Sequence, residues 1–162
     1  MMPTPKNTRL KILFSIFLLS AFFSCDNKKS EKPVTKGNPN EITFIGISNI
    51  GGNQGYYRII KITKDSIAAE KGTTSNKAHK TWASGINSDT WKQLTSSIKV
   101  KDLDHIKSSP SQQSVDRIDE TFQIRTPKKA HIYVNSFVDT IHYKQFQQLK
   151  EQLDKILPKE YK

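Results

Sequence analysis

The chain holds a single cysteine, Cys25, among 162 residues, and no aspartate or glutamate before Asp26. One thiol has no partner for an internal disulfide, so the fold must be held by its core. No apolar run reaches the roughly 20 residues that a helix needs to span a bilayer. The four histidines, His79, His105, His131 and His142, never take the H-x-x-x-H or H-E-x-x-H spacing that sets two imidazoles on one helical face. There is no G-x-S-x-G elbow and no D-x-D-x-D-G calcium loop. The glycine stretch Gly51-Gly52-Asn53-Gln54-Gly55 lacks the helix and Lys-Ser/Thr that a phosphate cradle requires. The common catalytic signatures are therefore missing, and the informative features lie elsewhere.

Lys6, Arg9 and Lys11 precede the stretch Ile12 to Phe23, in which ten apolar side chains are interrupted only by Ser15 and Ser20. A positive segment before a core of about 7–15 apolar residues reads as an export signal. Ser24, Cys25 and the polar run Asp26-Asn27-Lys28-Lys29 follow. This order resembles the bacterial lipoprotein signal family, in which the cysteine thiol takes a diacylglycerol before cleavage makes it the first residue. Phe22 stands where that family favours leucine, and Phe23 is bulkier than its usual occupant. The resemblance implies a signal peptide over 1–24, an acylated (palmitate-bearing) Cys25, and attachment to a bilayer of the cell envelope, facing the periplasm, with the outer membrane favoured. Acylation would leave no free thiol for catalysis.

Removing residues 1–24, with their three basic and no acidic groups, lowers the formal charge from +11 to +8. A cationic surface can meet anionic lipid, acidic glycan or nucleic acid. Here the lysines are scattered rather than blocked, as on a solvated surface, and export takes the chain away from nucleic acid. Residues 25–40 are rich in Lys, Ser, Pro, Asn and Gly, with Val34 the only aliphatic side chain after the cysteine. They cannot bury enough surface to offset chain entropy and read as a tether. A flexible segment of that length spans roughly 20 Å.

Residues 41–162 suffice for one domain. Glu41 to Ile50, Tyr56 to Thr63, Ile67 to Lys71 and Lys80 to Ser84 read as strands joined by short turns, hence an antiparallel meander. Ser88 is placed to cap a helix that carries Asp89 in its first turn and Trp91, Leu94 and Ile98 on one stripe. A helical turn then sets Val100, Leu103 and Ile106 together, and Ser108 to Ser114 reads as a loop. Thr121 to Thr126 and Ala130 to Asn135 form a hairpin about Pro127-Lys128-Lys129. Thr140 to Leu157 is a helix with Phe146, Leu149, Leu153, Ile156 and Leu157 on its apolar stripe, ended by Pro158. The fold class expected is α+β: meander, helix, hairpin, C-terminal helix.

The Gly51 to Gly55 turn between two strands, the helix bearing Trp91 and Leu94, the later hairpin and the terminal helix resemble the layout of emfourin-type proteinaceous inhibitors of thermolysin-like metalloproteases. The resemblance covers most of 41–157 and implies inhibition of such an enzyme, with no inhibitory residue carried over.

Three sets of residues could carry chemistry. His131, His142 and Asp139 lie where the last strand enters the last helix and would supply two imidazoles and a carboxylate to a metal, although the plainer reading is four ordinary histidines. Asp116, Asp119 and Glu120 could act as acid–base groups, but with Arg117 as counter-ion they read first as a solvated charge set. Trp82, Tyr56, Tyr57 and Tyr133 are the aromatics open to partner or glycan binding, Trp82 foremost, while Trp91 reads as core. The favoured function is a non-enzymatic, membrane-tethered envelope protein that uses no cofactor and binds a protein or glycan partner through Gly51, Gly52, Gly55 and Trp82. The alternatives are a metalloprotease inhibitor and an envelope hydrolase or metal-dependent enzyme.

Overall fold

The computed structural model describes residues 38–113 and 116–162; the signal segment, Cys25 and the tether up to residue 37 lie outside the described residues. Six strands form one antiparallel sheet: β1 (Phe44–Gly51), β2 (Tyr56–Ile62), β3 (Ser66–Thr73), β4 (Ala78–Gly85), β5 (Ile118–Arg125) and β6 (Ala130–Val134). Their order is β4-β3-β2-β1-β5-β6. Helix α1 (Ser88–Ser96) and a 3-10 segment (Val100–His105) connect β4 to β5, and helix α2 (Lys144–Ile156) follows β6. The expected α+β class is what the chain adopts. Among the described residues no helix is long and apolar enough to cross a membrane.

Alternation along each strand explains the layering. Ile45, Ile47, Ile60, Ile62, Ile67, Ala69, Phe122 and Ile124 point to one face and are buried there under Trp91, Leu94, Leu103, Phe146, Leu149 and Leu153. Phe122 and Phe146 stack at 4.2 Å between ring centroids, almost parallel. Among the described residues the core side chains run from Ile42 to Tyr161, so this segment carries a core of its own. The opposite face, with Ser48, Ile59, Lys61, Glu70 and Gln123, carries no helix among the described residues.

Several boundaries shift for local reasons. Asn87, not Ser88, caps α1: its side chain accepts from the Thr90 amide at 2.8 Å. The third and fourth strands run longer than expected, to Thr73 and from Ala78, leaving only residues 74–77 as the turn, with Lys77 at φ 56°. Strand β5 starts at Ile118 because β1 continues to Gly51 and pairs with it. Strand β6 stops at Val134 because Asn135 takes the left-handed conformation, φ 48°. Regular helix begins at Lys144 rather than Thr140. The preceding turn is already coiled, with the Tyr143 amide donating to the Asp139 carbonyl at 3.0 Å.

Candidate functional site

The turn Gly51 to Gly55, the loop before β5 and the segment 135–142 meet at one end of the sheet. Gly51 has φ 141°, and a Cβ there would lie 2.1 Å from the Arg117 carbonyl oxygen. Gly55 has φ 63°, and its Cβ would lie 1.9 Å from Thr74 Oγ1. Only glycine fits either position. The turn closes through Gly55 N–H to Gly52 O at 2.9 Å and is tied to the neighbouring hairpin by Thr74 N–H to Gly55 O at 3.1 Å. Asn53 and Gln54 form its exposed tip.

Beside the turn lies a buried polar framework. Asn135 is 1% exposed and takes over where the ladder stops. Its amide donates to the Glu120 carbonyl (2.8 Å), and its side-chain oxygen accepts from the Glu120 amide (3.0 Å). Its side-chain nitrogen donates to Asp119 Oδ1 (2.7 Å) and to the Pro110 carbonyl (3.3 Å). Asp119 also accepts from the Gln112 amide at 2.8 Å. Burial pushes the Asp119 carboxyl up, but the donors from Gln112, Ser111 and Asn135 outweigh it and leave it below its ordinary value.

Asp139, 5% exposed, does the same for the next turn. Its Oδ1 accepts from the amides of Ile141 (3.2 Å) and His142 (3.0 Å). Its Oδ2 accepts from the Lys107 amide (3.0 Å) and faces His142 Nδ1 at 2.9 Å. Burial again pushes the carboxyl up, and the His142 and Lys107 amides with the His142 ring pull it well below the usual carboxylate range. The segment 136–142 is thereby fixed to the loop that contains Lys107.

That fixed segment displays apolar side chains instead of hiding them. Phe137 and Val138 are about half exposed and Ile141 is 76% exposed. Phe137 meets Tyr143 edge-on at 6.5 Å, and Ile118 is exposed on the same end of the sheet. Among the described residues five of the six exposed large apolar side chains lie at this end, Ile50 on the helix-free face; the sixth, Ile132, sits in β6 on that face too. Such clustering on a small domain marks a contact surface more often than chance scatter does.

Behind this end Lys150 Nζ donates to Glu120 Oε2 and to the Tyr143 hydroxyl, both at 2.7 Å, and Tyr143 donates to Glu120 Oε1. Burial pulls the Lys150 ammonium down, but Glu120 and Tyr143 outweigh it, so the group stays charged through neutral pH. Burial and Glu120 push the Tyr143 phenol up. Neither group is a neutral amine or a phenolate near pH 7, so the trio works as an ion-paired brace rather than as a base or nucleophile.

The residues singled out from sequence are dispersed. Gly51, Gly52 and Gly55 belong to this end. Trp82 does not: it pairs with Ala69 in mid-strand on the helix-covered face and packs against Tyr161 at 6.3 Å. Tyr133 is buried, its hydroxyl donating to the Leu103 carbonyl. His131, opposite Ile124, is buried beside Asp104 (3.6 Å) at the far part of β6, whereas His142 sits with Asp139 past Asn135. The imagined trio of His131, His142 and Asp139 is thus not brought together, and no group of three such side chains converges among the described residues. Burial lowers the His131 imidazolium against the pull of Asp104. Of the carboxylates read as a solvated set, Asp116 is exposed, but Asp119 is buried and Glu120 pairs with Lys150, while Arg117 turns to Gln112 (3.3 Å). Sequence reasoning missed Phe137, Val138 and Ile141. The available signal was the three large apolar side chains crowded into 137–141, ahead of the stripe through Phe146, Leu149 and Leu153. No protein-family model and no curated protein matches the chain.

Proposed function

We propose that the chain is a lipid-anchored protein of the bacterial cell envelope whose folded domain is a non-enzymatic binding module, docking a partner protein at the glycine-turn end of the sheet. One observation carries the docking reading: Ile118, Phe137, Val138 and Ile141 are exposed together on backbone held by Asn135, Asp119 and Asp139. A preorganised apolar surface loses little entropy on binding. Exposed Lys107, Arg117 and Lys144 stand in or beside the segments that carry it and outnumber exposed Asp116, so the partner it suits presents an apolar spot with carboxylates around it. The order of residues before Cys25 supports the anchor.

Two measurements test the two halves separately. Cys25→Ala should abolish acyl-chain labelling and membrane fractionation; retention of both would remove the anchor. A photo-crosslinker placed at Val138 in the envelope should yield a discrete adduct that Ile141→Asp abolishes and Trp82→Phe leaves intact. Equal adduct yield from Ile141→Asp would refute the docking surface. A second reading rests on the exposed Asn53-Gln54 tip of a turn closed by the backbone hydrogen bond between Gly55 and Gly52, with Gly51 and Gly55 admitting no side chain, a loop able to enter a protease cleft. It predicts inhibition of a thermolysin-like enzyme that is lost on Gly55→Val, and no inhibition at high excess would end it.

A further inference from the structure

On the helix-covered face, two residues along the strands from the glycine turn, three cations stand in one row. The register places Arg58 opposite Lys71 and Lys71 opposite Lys80. All three point to the same face as Ile60, Ala69 and Trp82, two residues along their strands. Residues directly opposite in antiparallel strands have Cα atoms about 4.5–5.5 Å apart, and like charges so placed repel. The usual remedy is an interleaved carboxylate, and the register sets none between them among the described residues. None of the three forms an ion pair among the described residues. What Arg58 and Lys71 meet is neutral. Arg58 donates from Nε to the Tyr161 carbonyl (2.7 Å) and from Nη1 to Asn49 Oδ1 (3.1 Å). Lys71 donates to the Glu160 carbonyl and lies over the Tyr161 ring, 5.6 Å from its centroid. Lys80 is exposed and makes no hydrogen bond among the described residues. The C-terminal turn therefore orients two of the cations and cancels none of them.

We propose that Arg58, Lys71 and Lys80 form a binding surface for an anionic glycan, a sugar polymer bearing carboxylates at regular intervals. A row of like charges costs stability and gives a positive potential that is relieved when a chain of anions lies along it. Arg58 keeps its Nη2 edge for a carboxylate, to which the guanidinium fork is matched. Trp82, half-buried beside Lys80, presents the uncovered part of its ring on the same face and gives the apolar side of a sugar a surface to rest on. The plain alternative is that the cations only clamp the C-terminal turn. It accounts for Arg58 and Lys71 but leaves Lys80 without a role, and Lys80 is the residue that separates the two. The site shares no residue with the glycine-turn end, so its failure would leave the docking proposal standing, and the reverse.

The test uses residues 36–162, the unit that carries the whole core, titrated calorimetrically with polygalacturonate, its fully methyl-esterified form and inorganic tripolyphosphate. Polygalacturonate should bind, weaken as salt is added, and lose its affinity on esterification. Lys80→Gln should weaken it about five- to tenfold, the loss expected for one charge-assisted contact, with the melting temperature held or slightly raised as one like charge leaves the row. Ile141→Asp should leave it unaltered. Undetectable polygalacturonate binding, or equal affinity for Lys80→Gln, overturns the site. Binding of tripolyphosphate without polygalacturonate makes it a phosphate site and overturns the glycan.

Discussion

Replacing Asp139 by alanine tests the framework beneath the exposed apolar segment. Its carboxylate accepts from three backbone amides, those of Lys107, Ile141 and His142, at 3.0 to 3.2 Å. A buried donor stripped of its acceptor costs about 1–3 kcal/mol. Ile141 is mostly exposed, so water can reach its amide, whereas Asp139 itself is 5% exposed and leaves the other two amides in a closed setting. Counting those two in full gives a loss of roughly 3 kcal/mol, or about 10 °C in melting temperature for a domain of this size. Asp139→Asn keeps the shape and one acceptor but sets an NH2 group against the Lys107 amide or the His142 ring, so it should lose about half as much. The assay is urea denaturation together with amide hydrogen exchange at Lys107 and residues 140–143, which should speed up before the rest of the domain. The acid limb gives a second check. The Asp139 carboxyl sits below its ordinary value when folded, so its stabilisation is complete above about pH 5 and fades as pH falls through the usual carboxylate range. Asp139→Asn should flatten that fall, by up to about 1.4 kcal/mol per pH unit for one proton. A loss under about 0.5 kcal/mol, with amide exchange unchanged, would refute the reasoning.

Other substitutions separate competing effects. Gly51→Ala, whose Cβ would meet the Arg117 carbonyl at 2.1 Å, should cost at least about 2–3 kcal/mol. Gly52→Ala, whose nearest atom is Ile118 Cγ1 at 3.9 Å, should cost about 1 kcal/mol; equal melting temperatures would disprove the contrast. Phe146→Ala removes a fully buried ring stacked on Phe122 and should cost about 3–5 kcal/mol by denaturant titration. Lys150→Met strands the Glu120 carboxylate and should cost about 1–3 kcal/mol, with Glu120→Gln in the same chain recovering part of it. A strictly additive double-mutant cycle would show that the two charges do not interact.

The secondary structure was legible because it is written locally. The alternation in EITFIGISNI, the period-3.6 stripe through Phe146, Leu149 and Leu153, and Pro158 after the last helix each act within a few residues of chain. The order of strands is not local. Nothing in Thr121 to Asn135 says that its hairpin pairs with β1 rather than with β4, since the alternation fixes which face is buried and not which neighbour is adjacent. The burial of Asp119 depends on Asn135, sixteen residues away, and in isolation a carboxylate in a polar run reads as solvated. Trp82 looked open because Lys80, Thr81, Ala83 and Ser84 surround it. Its cover is Tyr161, brought from the other end of the folded segment. The cationic row is invisible for the same reason, since Arg58, Lys71 and Lys80 become neighbours only through register.

The two ends of the sheet are built differently. At the far end the connections are economical. Thr63 and Ser66 close one turn with Asp65, and Thr126 and Lys129 close the other through two backbone-directed hydrogen bonds. No buried carboxylate and no exposed large apolar side chain is needed to make them. At the glycine-turn end the same task, joining strands, is done with a left-handed Asn135, two buried carboxylates, two glycines that admit no side chain, and apolar residues left in water. The left-handed Asn135 and the apolar residues left in water disfavour folding relative to a plain turn, and the buried carboxylates are tolerated only because donors are arranged around them. Their concentration in one place, on a domain whose remainder obeys local rules, is what selection for a contact surface produces and what selection for stability alone would remove.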